Sequence, residues 1–210
     1  SVEPGGVAHL CQVDGVDLYA TAHNETSTGA MVPIRRVDSG DALTVVDGTS
    51  AAGGTELDVA QTDVYYFAPQ KSFASDGGLW IALMSPAALE RAAEVTARTD
   101  RWVPETLNLQ TAITNSRKHQ TLNTPALATL ILLDEQLGWM LELGGLAACA
   151  ARTADSSTRL YSWAEGTDFA TPFIADPAHR SQVVGTIDFD DSVDDAALAA
   201  TLRVNGIVDT

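Results

Sequence analysis

TDVYYFAPQKSFASDGGLW, residues 62–80, decides how this chain reads. Val64 to Ala68 are apolar and aromatic, the composition of a short strand. Pro69 cannot donate to a ladder, so the strand ends there. Lys71 follows at once. The chain holds only two lysines, Lys71 and Lys118, against ten arginines. A lysine at the end of a strand therefore invites the question of what an amine does there that a guanidinium does not.

Two earlier stretches have the same form. In VDLYATAHNETSTG (16–29) a short strand, Leu18 to Ala22, runs into a polar turn that carries Thr26. In DALTVVDGTSAAGG (41–54) the run Leu43 to Val46 leads to Asp47 and a loop of small residues. LWIALMS (79–85) reads as a fourth strand. Ser85-Pro86 then supplies an N-cap and a first helical residue, predicting a helix through ALERAAEVTAR (88–98). A second helix is expected to begin at Asn123-Thr124-Pro125. Leu127, Leu130, Ile131, Leu137 and Leu141 make its broad apolar face, and Gly144-Gly145 its stop.

Beyond about residue 150 the texture changes. RLYSWA (159–164), TPFIADP (171–177) and SQVVGTIDF (181–189) read as short strands or turns. DDAALAATLRVNGIVDT (194–210) reads as a helix, a glycine stop and a terminal strand. A boundary near residue 150 divides the chain into 1–150 and 151–210. Strands with polar residues at their carboxyl ends, alternating later with helices, predict an α/β fold with an open, mostly parallel sheet. In such sheets ligands bind beyond the carboxyl ends of the strands.

Composition narrows the partners. With 210 residues, 45% of them apolar, the chain can bury a sizeable core. Its formal charge is −16, which opposes binding to nucleic acid and to anionic membranes. A salt-rich habitat and an ordinary acidic cytosolic protein both fit that charge. PALATLILL (125–133) is too short to span a bilayer. The N-terminus lacks the basic start and apolar core of a signal peptide, so the expected compartment is the cytoplasm. Cys11 and Cys149 read as reduced, buried thiols. His9, His119 and His179 carry no metal-ligand spacing. Trp80, Trp102, Trp139 and Trp163 read as core or interface residues.

If the first three strands are neighbours, Thr26, Asp47 and Lys71 converge at one sheet edge. A lysine amine that sheds its proton attacks aldehydes, and pyridoxal phosphate is the aldehyde proteins commonly hold this way. Its pyridine nitrogen needs an anionic partner such as Asp47, and its phenolate oxygen a donor such as Thr26. Its phosphate needs amides and polar groups, with Gln70 and Asn123-Thr124 as candidates. Each residue alone also has a plain reading: a surface lysine, a turn aspartate before Gly48, a turn hydroxyl, a helix cap. His23, close to Thr26, is a further possible cofactor contact.

The ordered set of VYYFAPQKSFASDGGLW, HNETSTG, VVDGTSAAGG and QTLNTPA resembles the phosphoserine aminotransferase family, most of all its actinobacterial branch. RTADSSTRLYSWA, RSQVVGTIDF and LRVNGIVDT fit that branch too, so the resemblance runs along essentially the whole chain. It implies the aspartate-aminotransferase-like fold (fold type I of the pyridoxal-phosphate enzymes), working as a homodimer in the cytoplasm. It implies that Lys71 bonds to the cofactor aldehyde and then moves the proton between Cα and C4′. Asp47 would pair with the pyridine nitrogen, Thr26 with the phenolate oxygen and Gln70 with the phosphate. Asn123 and Thr124 would reach the phosphate of the neighbouring subunit's cofactor. The implied reaction exchanges an amino group between phosphoserine and 2-oxoglutarate, on the route to serine.

The chain departs from that family in length. The glycine-rich segment expected to cradle the phosphate, the aromatic residue expected on the ring, and the arginines expected to grip the substrate are not found in it. Arg35 and Arg36 read as a solvated pair rather than that grip. The expected content is thus the central part of a large cofactor-binding domain, 1–150, and the beginning of a smaller α/β domain, 151–210. Two other readings stay open: a different pyridoxal-phosphate enzyme of the same fold, and a non-catalytic fragment.

Overall fold

The computed structural model describes residues 2–208. Its principal sheet has four strands: β1 (Leu18–Ala22), β4 (Leu43–Asp47), β5 (Val64–Phe67) and β6 (Ile81–Met84), in the spatial order β1-β4-β5-β6. The first three are parallel and β6 is antiparallel to β5. These are the four runs marked out by apolar residues between turn signals, and the sheet is mostly parallel as expected. Between β1 and β4 lies a small hairpin, β2 (Asn24–Glu25) with β3 (Ala30–Met31), which the sequence pattern did not reveal.

Period-two alternation sorts the side chains of β5. Tyr65 and Phe67 point into the core with Val46, Ala52 and Ile34, and Leu57, Phe73 and Ile81 pack around them. Tyr66 points to the other face and is exposed. Burying each large core side chain contributes roughly 1.5–3 kcal/mol.

The amino-terminal edge of the sheet is tied by Asp63. Its carboxylate accepts from the Thr44 amide at 2.8 Å, the Ser85 hydroxyl at 2.8 Å and the Arg36 guanidinium. Because β6 runs antiparallel to β5, it delivers Ser85 back to Asp63. Ser85 then caps α1 (Pro86–Thr96) by accepting from the Ala88 amide, as its sequence predicts. Burial opposes the charge on Asp63. The bonds from Thr44, Arg36 and Ser85, with the Arg36 charge, outweigh it and hold the carboxyl below its ordinary range. Arg36 also donates to the Thr62 and Ala60 carbonyls, so it is a committed structural residue and not half of a solvated pair.

The remaining helices are α2 (Leu109–Ser116), α3 (Leu127–Leu143), α4 (Gly145–Glu165) and α5 (Asp195–Val204). A second small hairpin joins β7 (Ala170–Pro172) and β8 (Ile187–Phe189). Helix α3 starts at Leu127, with Ala126 rather than Asn123 at its cap. The Thr121 hydroxyl donates to the Asn123 carbonyl and holds that segment in a turn. Gly144, at φ +120°, ends α3 and begins α4 in one step, so the expected stop is a corner between two helices. RLYSWA lies within α4, not in a strand: Tyr161 and Ala164 fall on one helical face and are buried. Helix α4 also runs unbroken through residue 150. Residues 207 and 208 belong to no strand, and the rest of the expected terminal strand, residues 209 and 210, lies outside the described residues.

Cys149 is buried but Cys11 is exposed. Trp80, Trp102, Trp139 and Trp163 are all exposed, so none is a core residue. Among the described residues no helix is long and apolar enough to cross a membrane.

Candidate functional site

Asp47 and the segments carrying Thr26 and Lys71 leave the sheet at the carboxyl edge of its parallel strands. Register pairs Ala22 with Asp47 and Asp47 with Tyr66, so the ends of β1, β4 and β5 lie side by side. Asp47 is the last residue of β4. Thr26 lies in the β2–β3 turn four residues beyond the end of β1, and Lys71 lies four residues beyond the end of β5.

The loops that follow β4 and β5 are packed on each other. A Cβ at Gly54 would come 2.8 Å from Ser72 Oγ and 2.6 Å from Val183, so only a glycine admits the Lys71 loop there. Phe73 stacks on Phe67 at 5.1 Å between ring centroids and anchors the loop to the core. On its far side the loop is tied to α3. The Ser75 hydroxyl donates to the Thr129 carbonyl at 3.1 Å, and the Thr129 hydroxyl donates to the Gly77 carbonyl at 3.2 Å. The β2–β3 turn has its own anchor: the Thr186 hydroxyl donates to the Thr28 carbonyl, and the Ser181 amide to the Gly29 carbonyl. Residues 180–186 thus hold Thr26's turn in place, a dependence that sequence spacing could not reveal.

Asp47 is half-buried. Its Oδ1 accepts from the Thr49 amide at 2.8 Å, and its Oδ2 accepts from the Tyr66 hydroxyl at 3.2 Å. A carboxylate has about four lone-pair sites, so capacity remains for another donor. Lys71 is exposed, and among the described residues its amine has neither a carboxylate nor a hydrogen-bond partner. Gln70 and Thr26 are likewise exposed, with side chains free among the described residues. Asn24 is 4% exposed. Its amide nitrogen donates to the Ser50 hydroxyl at 2.9 Å, while its Oδ1 has no partner. Among the described residues the other buried side-chain atom without a partner, Thr44 Oγ1, lies near the opposite edge of the sheet.

Three candidates stand apart. His23 is buried against Tyr65, sharing a 3.1 Å hydrogen bond with its hydroxyl. By strand alternation that is the core face, opposite Asp47, so His23 does not join the set. Burial pushes the His23 imidazole below its ordinary value, and burial first, then the charge of Asp47, pushes the Tyr65 phenol up. Asn123 and Thr124 are exposed in the loop before α3. With Ser116, His119 and Thr121 they line an open concavity of their own. Sequence reasoning missed Tyr66 and Asn24, although the alternation of VYYF put Tyr66 on the face opposite Tyr65.

Comparisons with known proteins bear on the family and the fold. The family model described as aminotransferase class-V matches residues 8–208. A Mycolicibacterium vanbaalenii protein provisionally named phosphoserine aminotransferase is 65% identical over 196 residues, which cover 93% of this chain and 53% of that protein. The phosphoserine aminotransferase of Rhodococcus jostii is 58% identical over 211 residues, covering 100% of this chain and 56% of that one. The chain thus spans about half the length of the curated relatives it matches. Among solved structures, a phosphoserine aminotransferase from Cytophaga hutchinsonii superposes with a TM-score of 0.87. It is 18% identical, with 98% of this chain and 58% of that chain covered, so the fold is shared at low identity. The parallel strand ends, the paired Asp47 and Lys71 loops and the match along nearly all its length lead to one conclusion: the chain belongs to the class-V aminotransferase family.

Proposed function

We propose that this chain carries the cofactor-binding core of a pyridoxal-phosphate-dependent phosphoserine aminotransferase. The observation that carries the proposal is the packing of the Asp47 loop against the Lys71 loop at one edge of the sheet. The residues fit the cofactor. Asp47 has accepting capacity to spare, and the Lys71 amine is committed to nothing else among the described residues.

When bound, pyridoxal phosphate supplies an electron sink for the pair left on Cα after its proton is removed. The protein's part is holding and proton movement. Lys71 is the residue that would hold the cofactor's aldehyde, and its amine, when free, would be the base that takes the proton from Cα. Arginine stays charged and cannot do either. Asp47 keeps the pyridine nitrogen protonated by presenting a fixed negative charge. Thr26 donates to the phenolate oxygen and Gln70 to the phosphate. Asn123 and Thr124 serve the phosphate of a neighbouring subunit in a homodimer, which accounts for their exposed concavity apart from Asp47. The substrates are phosphoserine and 2-oxoglutarate, acted on in the cytoplasm. Their carboxylate and phosphate groups would be gripped by arginines. The division into a large and a small domain near residue 150 is carried by α4, which joins the two.

The test uses the protein at its natural length. After incubation with pyridoxal phosphate and removal of the excess, a visible absorption band is expected. Borohydride reduction should leave the cofactor's mass on the peptide containing Lys71. Lys71→Ala should lose both signals, and Lys71→Arg should abolish glutamate formation from phosphoserine and 2-oxoglutarate. A band that survives in Lys71→Ala, or an adduct on another residue, overturns the assignment.

A further inference from the structure

Tyr65 and Tyr66 are adjacent in sequence and opposite in use. Tyr65 is 3% exposed, lies in the core and bonds to His23. Tyr66 is 38% exposed, stands on Asp47's face and directly opposite it in the β4–β5 register. A tyrosine in a row of core aromatics is ordinary, but one turned outward to face the last residue of a parallel strand needs another explanation.

We propose that Tyr66 is a positioning residue, whose hydroxyl fixes the plane of the Asp47 carboxylate for the pyridine nitrogen. This inference rests on the function proposed above. The terminal torsion of an aspartate is broad, so one hydrogen bond leaves the carboxylate free to rock. Asp47 has two bonds from two different elements. The Thr49 amide, in its own turn, holds Oδ1 at 2.8 Å, and the Tyr66 hydroxyl, on the neighbouring strand, holds Oδ2 at 3.2 Å. The first ties the carboxylate to the loop and the second to the sheet. Together they set the direction in which the remaining lone pairs point. Tyr66 also stays a donor: burial, then the charge of Asp47 and the bond to it, push its phenol above the ordinary value.

The functional alternative for Tyr66, a plain outward aromatic, makes a different prediction. Three measurements on the natural-length protein separate them, using Tyr66→Phe, Asp47→Asn and the double variant. First, without cofactor, the alkaline absorbance titration of the tyrosines should lose one raised component in Tyr66→Phe. The same component should move down in Asp47→Asn, where the charge is gone. Second, the apparent Kd for pyridoxal phosphate should rise about five- to tenfold in Tyr66→Phe, the scale expected for losing the net contribution of one hydrogen bond. Third, in the Asp47→Asn background the Tyr66→Phe change should weaken binding by less than about twofold, since it acts through Asp47. The urea midpoint of Tyr66→Phe should match that of the parent.

Unchanged cofactor affinity in Tyr66→Phe would overturn the proposal while the Lys71-dependent band leaves the cofactor reading standing. An undiminished effect in the Asp47→Asn background would overturn it too, by placing the action of Tyr66 elsewhere. A parent protein with no Lys71-dependent band would overturn both.

Discussion

Asp63 and Asp47 sit at opposite ends of the same central strands, and their surroundings differ in kind. Asp63 is 3% exposed and takes bonds from an amide, a hydroxyl and a guanidinium supplied by three separate segments. Asp47 takes two and keeps capacity to spare. A carboxylate saturated by its own protein holds the fold together. One left partly unsatisfied, at the carboxyl edge of the sheet, keeps lone pairs for a further donor. The difference is visible only after donors are counted, since both residues read as aspartates at strand ends.

The contrast can be broken by mutation. Asp63→Ala should have the largest effect, about 3 kcal/mol of stability lost to urea, because it strands Arg36 and the Thr44 amide. A loss below about 1 kcal/mol would mean that Asp63 is no keystone. Gly48→Ala should come next, at about 2 kcal/mol. Its Cβ would lie 2.1 Å from the Tyr65 ring, so the core aromatic has to move. A parent-like urea midpoint would show that the ring is not confined.

Acid offers a gentler version of the Asp63 test. Its folded-state pKa is lowered, so its contribution is complete above the ordinary carboxylate value. That contribution is lost as pH falls from about 4 through the lowered value. The urea midpoint of the parent should therefore drop over that window more steeply than that of Asp63→Asn, and parallel curves would refute the assignment. The smallest stability change is expected for Asp47→Asn, under about 1 kcal/mol, accompanied by weakened but measurable cofactor binding. A large unfolding effect there would make Asp47 a second structural anchor and erase the contrast.

Much of this was legible in the chain. Apolar runs bounded by turn residues located β1, β4, β5 and β6, and Ser85-Pro86 located the start of α1. The order of Thr26, Asp47 and Lys71 along successive strands marked the sheet edge at which the Asp47 and Lys71 loops lie together. What stayed hidden has specific causes. β6 runs antiparallel because of where its flanking loop returns, which no local pattern encodes. α4 was obscured by Leu160, Tyr161 and Trp163, residues that suit a strand in a short window and show helical spacing only against Ala164. Arg36 looked solvated because its partner Asp63 is 27 residues away. Tyr66 escaped notice because its meaning depends on a register partner, Asp47, on another strand.

Thr129 has a consequence of its own. It sits in the first turn of α3 and grips the Lys71 loop at both Ser75 and Gly77. The segment carrying Asn123 and Thr124 leads directly into that turn. If Asn123 and Thr124 meet a second subunit as proposed, a strut clamped at one end to the lysine loop begins at that contact. Free energies of coupling are reciprocal: if docking at residues 123–124 steadies the lysine loop, occupying that loop strengthens docking by the same factor, and assembly and cofactor loading become one equilibrium.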